Sequence, residues 1–164
     1  TNYAPLQDYL LNGAVLKTTL LLTRWTEEES EESLCEQFNL GPGDIYRQTE
    51  STRWLLHSAI VFAGLFEFKK LTMLLADLET RVRYGIKEEL LDLTRLKGIG
   101  RIRARNLFAK GYKTTLSLKN LSVDTLSEVP NIGKTLAKEI LDQVWGRVKT
   151  KAGSIPEEKA AEQL

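Results

Sequence analysis

The chain has 164 residues, 42% of them apolar and 27% charged, which suits one medium domain, or one plus a small appendage, with a real core. No run approaches the ~20 apolar residues of a membrane span, because Lys17 and Arg24 bracket the stretch from Thr18 to Leu22. A formal net charge of +1 hides an asymmetry: residues 1–85 carry 8 Lys/Arg against 12 Asp/Glu, residues 86–164 carry 15 against 10, and residues 93–151 carry 13 against 4.

That local excess of basic residues is the electrostatic footprint of a polyanion-binding module. Single Cys35 has no disulfide partner, which fits a reducing cytoplasm. With the only histidine, His57, in another segment, Cys35 reads as a packing residue, and no Cys/His cluster offers a metal site. Thr1 in place of an initiator Met, followed by polar Asn2, Gln7 and Asp8, argues against a secretory leader and for an excised fragment or processed product.

Leu10 to Trp25 is an apolar stretch. Thr26-Glu27-Glu28-Glu29 reads as a capping box opening a helix to about Phe38, and the acidic run Glu27 to Glu32 as dipole compensation on a solvated face. After the loop Asn39-Leu40-Gly41-Pro42-Gly43, Asp44 is a good N-cap for a long helix to about Lys69. Its buried stripe is Ile45, Thr49, Thr52, Leu56, Ala59, Ala63 and Phe66. Leu71 to Tyr84 forms the next helix, with Leu71, Leu74, Leu75, Leu78 and Val82 on one side, and Gly85 ends it.

Lys87 to Arg95 then leads into Gly98-Ile99-Gly100, residues 101 to 110 form a helix, and Gly111 closes it. Ser117 to Asn120 and Val123 to Val129 are short helices, Pro130 to Gly133 a second turn, and Lys134 to about Lys149 the last long helix. Beyond Thr150 the apolar periodicity is lost, and a mobile tail or a short helix after Pro156 is expected. No β pattern appears. The class is all-α: a helical bundle over residues 1–90, a tandem helix-hairpin-helix domain over 91–150, and a flexible tail over 151–164.

The tandem is written in the sequence as a repeat. Offset by 33 residues, Leu93, Leu96, Gly98, Ile99, Gly100, Ala104 and Leu107 become Leu126, Val129, Asn131, Ile132, Gly133, Ala137 and Ile140. The single Gly-to-Asn change keeps a residue type that reaches positive φ. In each turn the small residues let the chain curl while Ile99 or Ile132 plugs the space between helices, so the amides opening the next helix point outward and favour a phosphate. Arg101, Arg103 and Arg105 add three cations after the first turn, where the second carries Lys134 and Lys138. The first hairpin is therefore expected to hold nucleic acid more strongly, and the second to serve partly as scaffold.

A second candidate lies in the long helix. Arg47 and Trp54, seven residues apart and off the buried stripe, share an azimuth about 10 Å apart along the axis, with Ser51 between them. A guanidinium and an indole in line could stack on successive bases of a single strand. On spacing alone, however, a tryptophan packed against a neighbouring helix is the commoner outcome.

Leu16-Lys17-Thr18-Thr19-Leu20-Leu21-Leu22, Leu40-Gly41-Pro42-Gly43-Asp44-Ile45, Trp54-Leu55-Leu56 and Arg81 through Leu91, continued by Gly98 through Arg105, together resemble the archaeal superfamily-two DNA helicases called Hjm. These are relatives of the helicase region of polymerase theta. The resemblance implies that the bundle is that family's ratchet domain and that Arg47 and Trp54 are the pair that stacks on a translocating 3′ strand. It further implies that Arg101, Arg103 and Arg105 grip single-stranded DNA leaving the motor and restrain its ATPase. The implied partners are single-stranded or forked DNA and the missing motor domains; the tail after Gly146 lies outside the resemblance, and a replication or repair protein as its partner is an open alternative. ATP and Mg²⁺ would belong to those motor domains only, since no Gly-x-x-x-x-Gly-Lys-Ser/Thr loop and no Asp-Glu-x-His motif occur here, and the chain as it stands is expected not to hydrolyse ATP. Gly98-Ile99-Gly100 lacks the further glycine and flanking strand of a dinucleotide site. The competing reading is a protein-interaction scaffold like the bundle-plus-hairpin units of spliceosomal RNA helicases, in which Trp54 would be core.

Overall fold

The structure, a computed structural model, describes the backbone of residues 4–152 and the side chains of residues 13–146. The flexible-tail expectation for 151–164 and its partner-binding role fall almost wholly outside the described residues. Among those residues every regular element is helical and there is no strand. The chain divides into two compact units, Thr1–Leu91 and Asp92–Leu164.

The first unit holds α1 (Ala4–Thr26), α2 (Glu31–Phe38), α3 (Pro42–Leu65) and α4 (Lys69–Tyr84). Leu21, Leu34, Phe38 and Ile45 form a buried cluster from α1, α2 and α3, with Trp25, Cys35 and Leu40 packed against it. Cys35 is thus a packing residue, and burial, with Glu31 and Asp44 nearby, pushes its thiol upward. The Trp25 indole N–H donates to the Val82 carbonyl at 2.7 Å, tying α1 to α4. Gly85 lies directly under that indole: a Cβ there would sit 2.5 Å from Trp25 Cε2, and its φ of +61° is the left-handed turn that ends α4.

Two helix boundaries differ from the sequence expectation. Thr26 does not open α2; it is the buried last residue of α1, its hydroxyl donating to the Thr23 carbonyl at 2.9 Å. The chain turns at Glu28 (φ +69°), and Ser30 becomes the N-cap, its Oγ accepting from the Ser33 N–H at 3.2 Å. The long helix ends at Leu65 rather than near Lys69. Glu67 takes φ +58°, Phe68 N–H bonds the Ala63 carbonyl at 2.9 Å and Glu67 N–H bonds that of Gly64 at 3.0 Å, a left-handed closure that no glycine signals in the sequence. This turn folds α4 back onto α3. The predicted stripes are only partly covered: Phe66, Leu71, Leu74 and Leu78 are exposed, whereas Ala63, beside the turn, and Val82, at the far end of α4, are buried. Helical spacing put these side chains on one face; burial needs a further element over that face, and among the described residues none covers it.

The second unit builds its core from the repeat. A 3₁₀ turn (Glu88–Leu90) at the end of the first unit leads into α5 (Leu91–Thr94), after which come α6 (Arg101–Ala109), a second 3₁₀ turn (Thr115–Leu118), α7 (Val123–Ser127) and α8 (Lys134–Ala152). Leu93, Leu96, Ile99, Ala104 and Leu107, and their counterparts Leu126, Val129, Ile132, Ala137 and Ile140, are all no more than 3% exposed. The backbone repeats as well: Ile99 N–H to the Leu96 carbonyl and Ile132 N–H to that of Val129 both measure 3.1 Å, and Ala104 to Gly100 and Ala137 to Gly133 both measure 2.9 Å. Each buried apolar residue removed from water contributes roughly 1.5–3 kcal/mol, so the duplicated pattern is chiefly a folding pattern that also fixes the two turns.

Candidate nucleic-acid interface

In the first unit the site is the solvent face of α3. Pro42 at the helix start and Gly41 as N-cap begin it, and Asp44 reaches back to accept the Gly41 N–H at 2.9 Å. The same carboxylate pairs with Arg47, one turn on. The Gly41 amide first, and then Arg47, hold the Asp44 carboxyl below the ordinary carboxylate range. Asp44 is therefore at the third helical position, where it caps α3 and steadies the Arg47 guanidinium, rather than being the N-cap itself. The Arg47 side chain remains 76% exposed. Trp54 is 71% exposed, so the alternative of an indole buried against a neighbouring helix does not describe this unit. Both side chains stand on one exposed azimuth, with exposed Ser51 between them and the Ser58 hydroxyl turned back to the Trp54 carbonyl at 3.0 Å. Tyr46, next to Arg47 in sequence but about 100° round the helix, is exposed too, an aromatic group beside this face that the spacing argument overlooked.

In the second unit the two turns carry the site. Gly98 has φ +86° and Asn131 has φ +65°, so the one substitution in the repeat preserves the left-handed residue. Gly100 is different: at φ −105° and ψ −168° it is an extended N-cap, and Gly133 has open space for a Cβ. Only the first residue of each turn takes the left-handed conformation. Gly100 offers no side-chain cap, and the start of α6 presents the positive end of its dipole beside the turn.

The cations fall into two sets. Arg101 and Arg105 share one face of α6, and Arg105 lies over the Phe108 ring at 5.2 Å, with Lys113 over the same ring at 5.6 Å. Arg103 points elsewhere, its guanidinium bonded to the carbonyls of Gly98 and Asn131. Lys134 pairs with Asp124 at 3.0 Å, both side chains well exposed, and Lys138 is exposed on α8. Phe108, and Trp145 under Lys119 at 5.5 Å, are aromatic groups with cations against them that the motif reading passed over. The spacing of Arg105 and Phe108, three apart on a helix, was the available signal for the first. Among the described residues no group of His, Cys, Asp and Glu could hold a metal ion, and no helix is long and apolar enough to cross a membrane.

Comparison with known proteins agrees with this organisation. Residues 6–85 match the family model described as "Archaeal helicase, domain 4", and residues 90–144 match "SAM-like Helix-hairpin-helix tandem". Among curated proteins the chain is 38% identical over 135 residues to the ATP-dependent DNA helicase Hel308 of Methanocella arvoryzae, which covers 82% of this chain and 18% of that protein. It is 40% identical over 134 residues to Hel308 of Pyrococcus horikoshii (81% of this chain, 19% of the relative). Against Hel308 of Caldivirga maquilingensis it is 32% identical over 145 residues (87% and 19%). The chain thus spans under a fifth of the length of these relatives. It belongs to the archaeal Hel308 helicase family, of which it carries domain 4 and the helix-hairpin-helix tandem.

Proposed function

We propose that this chain is the DNA-gripping portion of an ATP-dependent 3′-to-5′ DNA helicase that works at forks and junctions in repair and recombination. The observation that carries this reading is the exposure of Trp54 in line with Arg47: an indole in water on the outer face of a helix has no packing role there, and its flat face suits a base. Stacking by this pair would hold the strand between motor steps and so oppose back-slip. The amides after Gly98 and Asn131, with Arg101, Arg105, Lys134 and Lys138, would hold phosphates of the strand leaving the motor.

The motor itself, with its ATP and Mg²⁺, would lie in the parent protein outside this chain. Phe62, Leu65, Phe66, Met73 and Leu74 form an exposed apolar patch at the α3–α4 turn, of the kind that marks a protein contact. We assign that patch to the remainder of the helicase, because the relatives are more than five times longer than the matched segment.

The test is a fluorescence anisotropy titration of the 164-residue chain against labelled single-stranded DNA over a range of salt. Arg101→Glu with Arg105→Glu is expected to weaken binding and to lower the slope of log K against log salt by about 1.4, at roughly 0.7 per phosphate contact on a single strand. An unchanged affinity and slope in that double variant would overturn the assignment of the hairpin to DNA.

A further inference from the structure

Each turn of the tandem is held by side chains from the other repeat. Arg103 Nε donates to the Asn131 carbonyl at 2.7 Å, and its Nη1 donates to the Gly98 carbonyl at 2.9 Å. One guanidinium therefore joins the two left-handed residues, one from each turn. Three residues along α6, the Asn106 side-chain amide donates to the Pro130 carbonyl at 3.0 Å, again from the first repeat to the second turn. The second repeat returns the contact. Gln143 of α8 accepts the Lys97 N–H at 2.7 Å and donates to the Lys97 carbonyl at 3.3 Å. Leu136, which stands 33 residues after Arg103 and so at its repeat position, lies against Gly98, where a Cβ would come within 2.8 Å of its Cδ1. The same helical position thus reaches across to the opposite turn in both copies, by a charged fork in one and an apolar contact in the other.

We propose that Arg103 is a positioning residue for phosphate binding: it fixes the separation and orientation of the two turns so that one DNA backbone engages the amides of both. This rests on the reading that the turns bind phosphate. A planar guanidinium suits the task because its donors leave in fixed directions and can meet two carbonyls at once, whereas an ammonium on a flexible stem cannot hold them in one geometry. Arg103 is in this respect unlike Arg101 and Arg105, whose part is direct charge on the strand. Middle position and shared charge make the three look alike in sequence, and the bonds of Arg103 to the two turns set it in a bridging place.

The experiment is a double-mutant cycle on the full chain, read by anisotropy with a labelled single strand long enough to pass both turns. Arg103→Gln is measured alone and in a Lys134→Glu/Lys138→Glu background, in which the second turn has lost its cations. Expected is a loss of about tenfold in the first background and less than about twofold in the second, the non-additivity of residues acting through one network. Arg103→Lys, which keeps the charge, is expected to lose as much as Arg103→Gln, and it supplies the same cycle if the glutamine variant melts below the assay temperature. Equal losses in both backgrounds, recovery of binding by Arg103→Lys, or no effect of the Lys134/Lys138 changes on their own would overturn the proposal. The first two results leave the DNA-binding reading untouched, and the third removes only Lys134 and Lys138 from its phosphate contacts; that reading stands or falls with Arg101 and Arg105.

Discussion

Replacing Trp54 with alanine separates a base-stacking indole from a structural one, because the two roles predict opposite pairs of numbers. The side chain is 71% exposed, so its removal takes little apolar surface out of a packed environment. A buried tryptophan cut to alanine costs about 3–5 kcal/mol. At an exposed position inside the 24-residue α3, alanine instead gains a few tenths of a kcal/mol in helix propensity. The melting temperature is therefore expected to stay within about 3 °C of the parent. Binding is another matter: one stacked base contributes about 1–3 kcal/mol, which converts to a roughly 5- to 150-fold weaker dissociation constant. Trp54→Phe, retaining a smaller ring, should fall between the parent and the alanine variant. Thermal unfolding by circular dichroism and anisotropy against a labelled single strand give the two numbers on the same preparation. A melting temperature reduced by ten degrees or so with unchanged DNA affinity would refute the argument and favour the scaffold reading, in which the indole is core.

Other outcomes follow from the turns and from the start of α3. Asn131→Ala, which places an ordinary side chain at φ +65°, is expected to lose about 1–2 kcal/mol in urea denaturation, whereas Asn131→Gly should cost nothing or stabilise slightly. Equal losses for the two would show that the asparagine side chain, not its backbone conformation, is what the turn requires. Asp44 should give the chain an acid-sensitive step. Its folded-state carboxyl is held low by the Gly41 amide and Arg47, so the stability it lends is complete above the unfolded value near 3.9 and is lost as pH falls through the folded one. Asp44→Asn should thus lower the melting temperature at neutral pH and flatten its decline below about pH 4. A parallel shift at every pH would assign the effect to something other than that ionisation.

Local spacing decided a good deal of this protein. The 33-residue repeat foretold both hairpins, their ten core positions and the left-handed residue at Asn131, because a tight turn and a plugged helix pair impose requirements on nearest neighbours in sequence. The same local logic placed Arg47 and Trp54 on one azimuth of α3. It could not say which azimuths are covered, since that depends on elements tens of residues away: nothing in the period of α3 or α4 distinguishes Val82, buried, from Leu71 or Leu74, exposed, or shows that Trp54 faces water. Glu67 and Ser30 took over helix-ending and helix-starting roles that composition gave to neighbours, for the same reason that packing of the adjoining helices sets where the backbone must turn. Arg103 is the clearest case. Its residue type and place among three arginines announced a cation near a phosphate site, and only the folded tandem, by bringing Asn131 back across 28 residues of chain, made it the bond between the two turns.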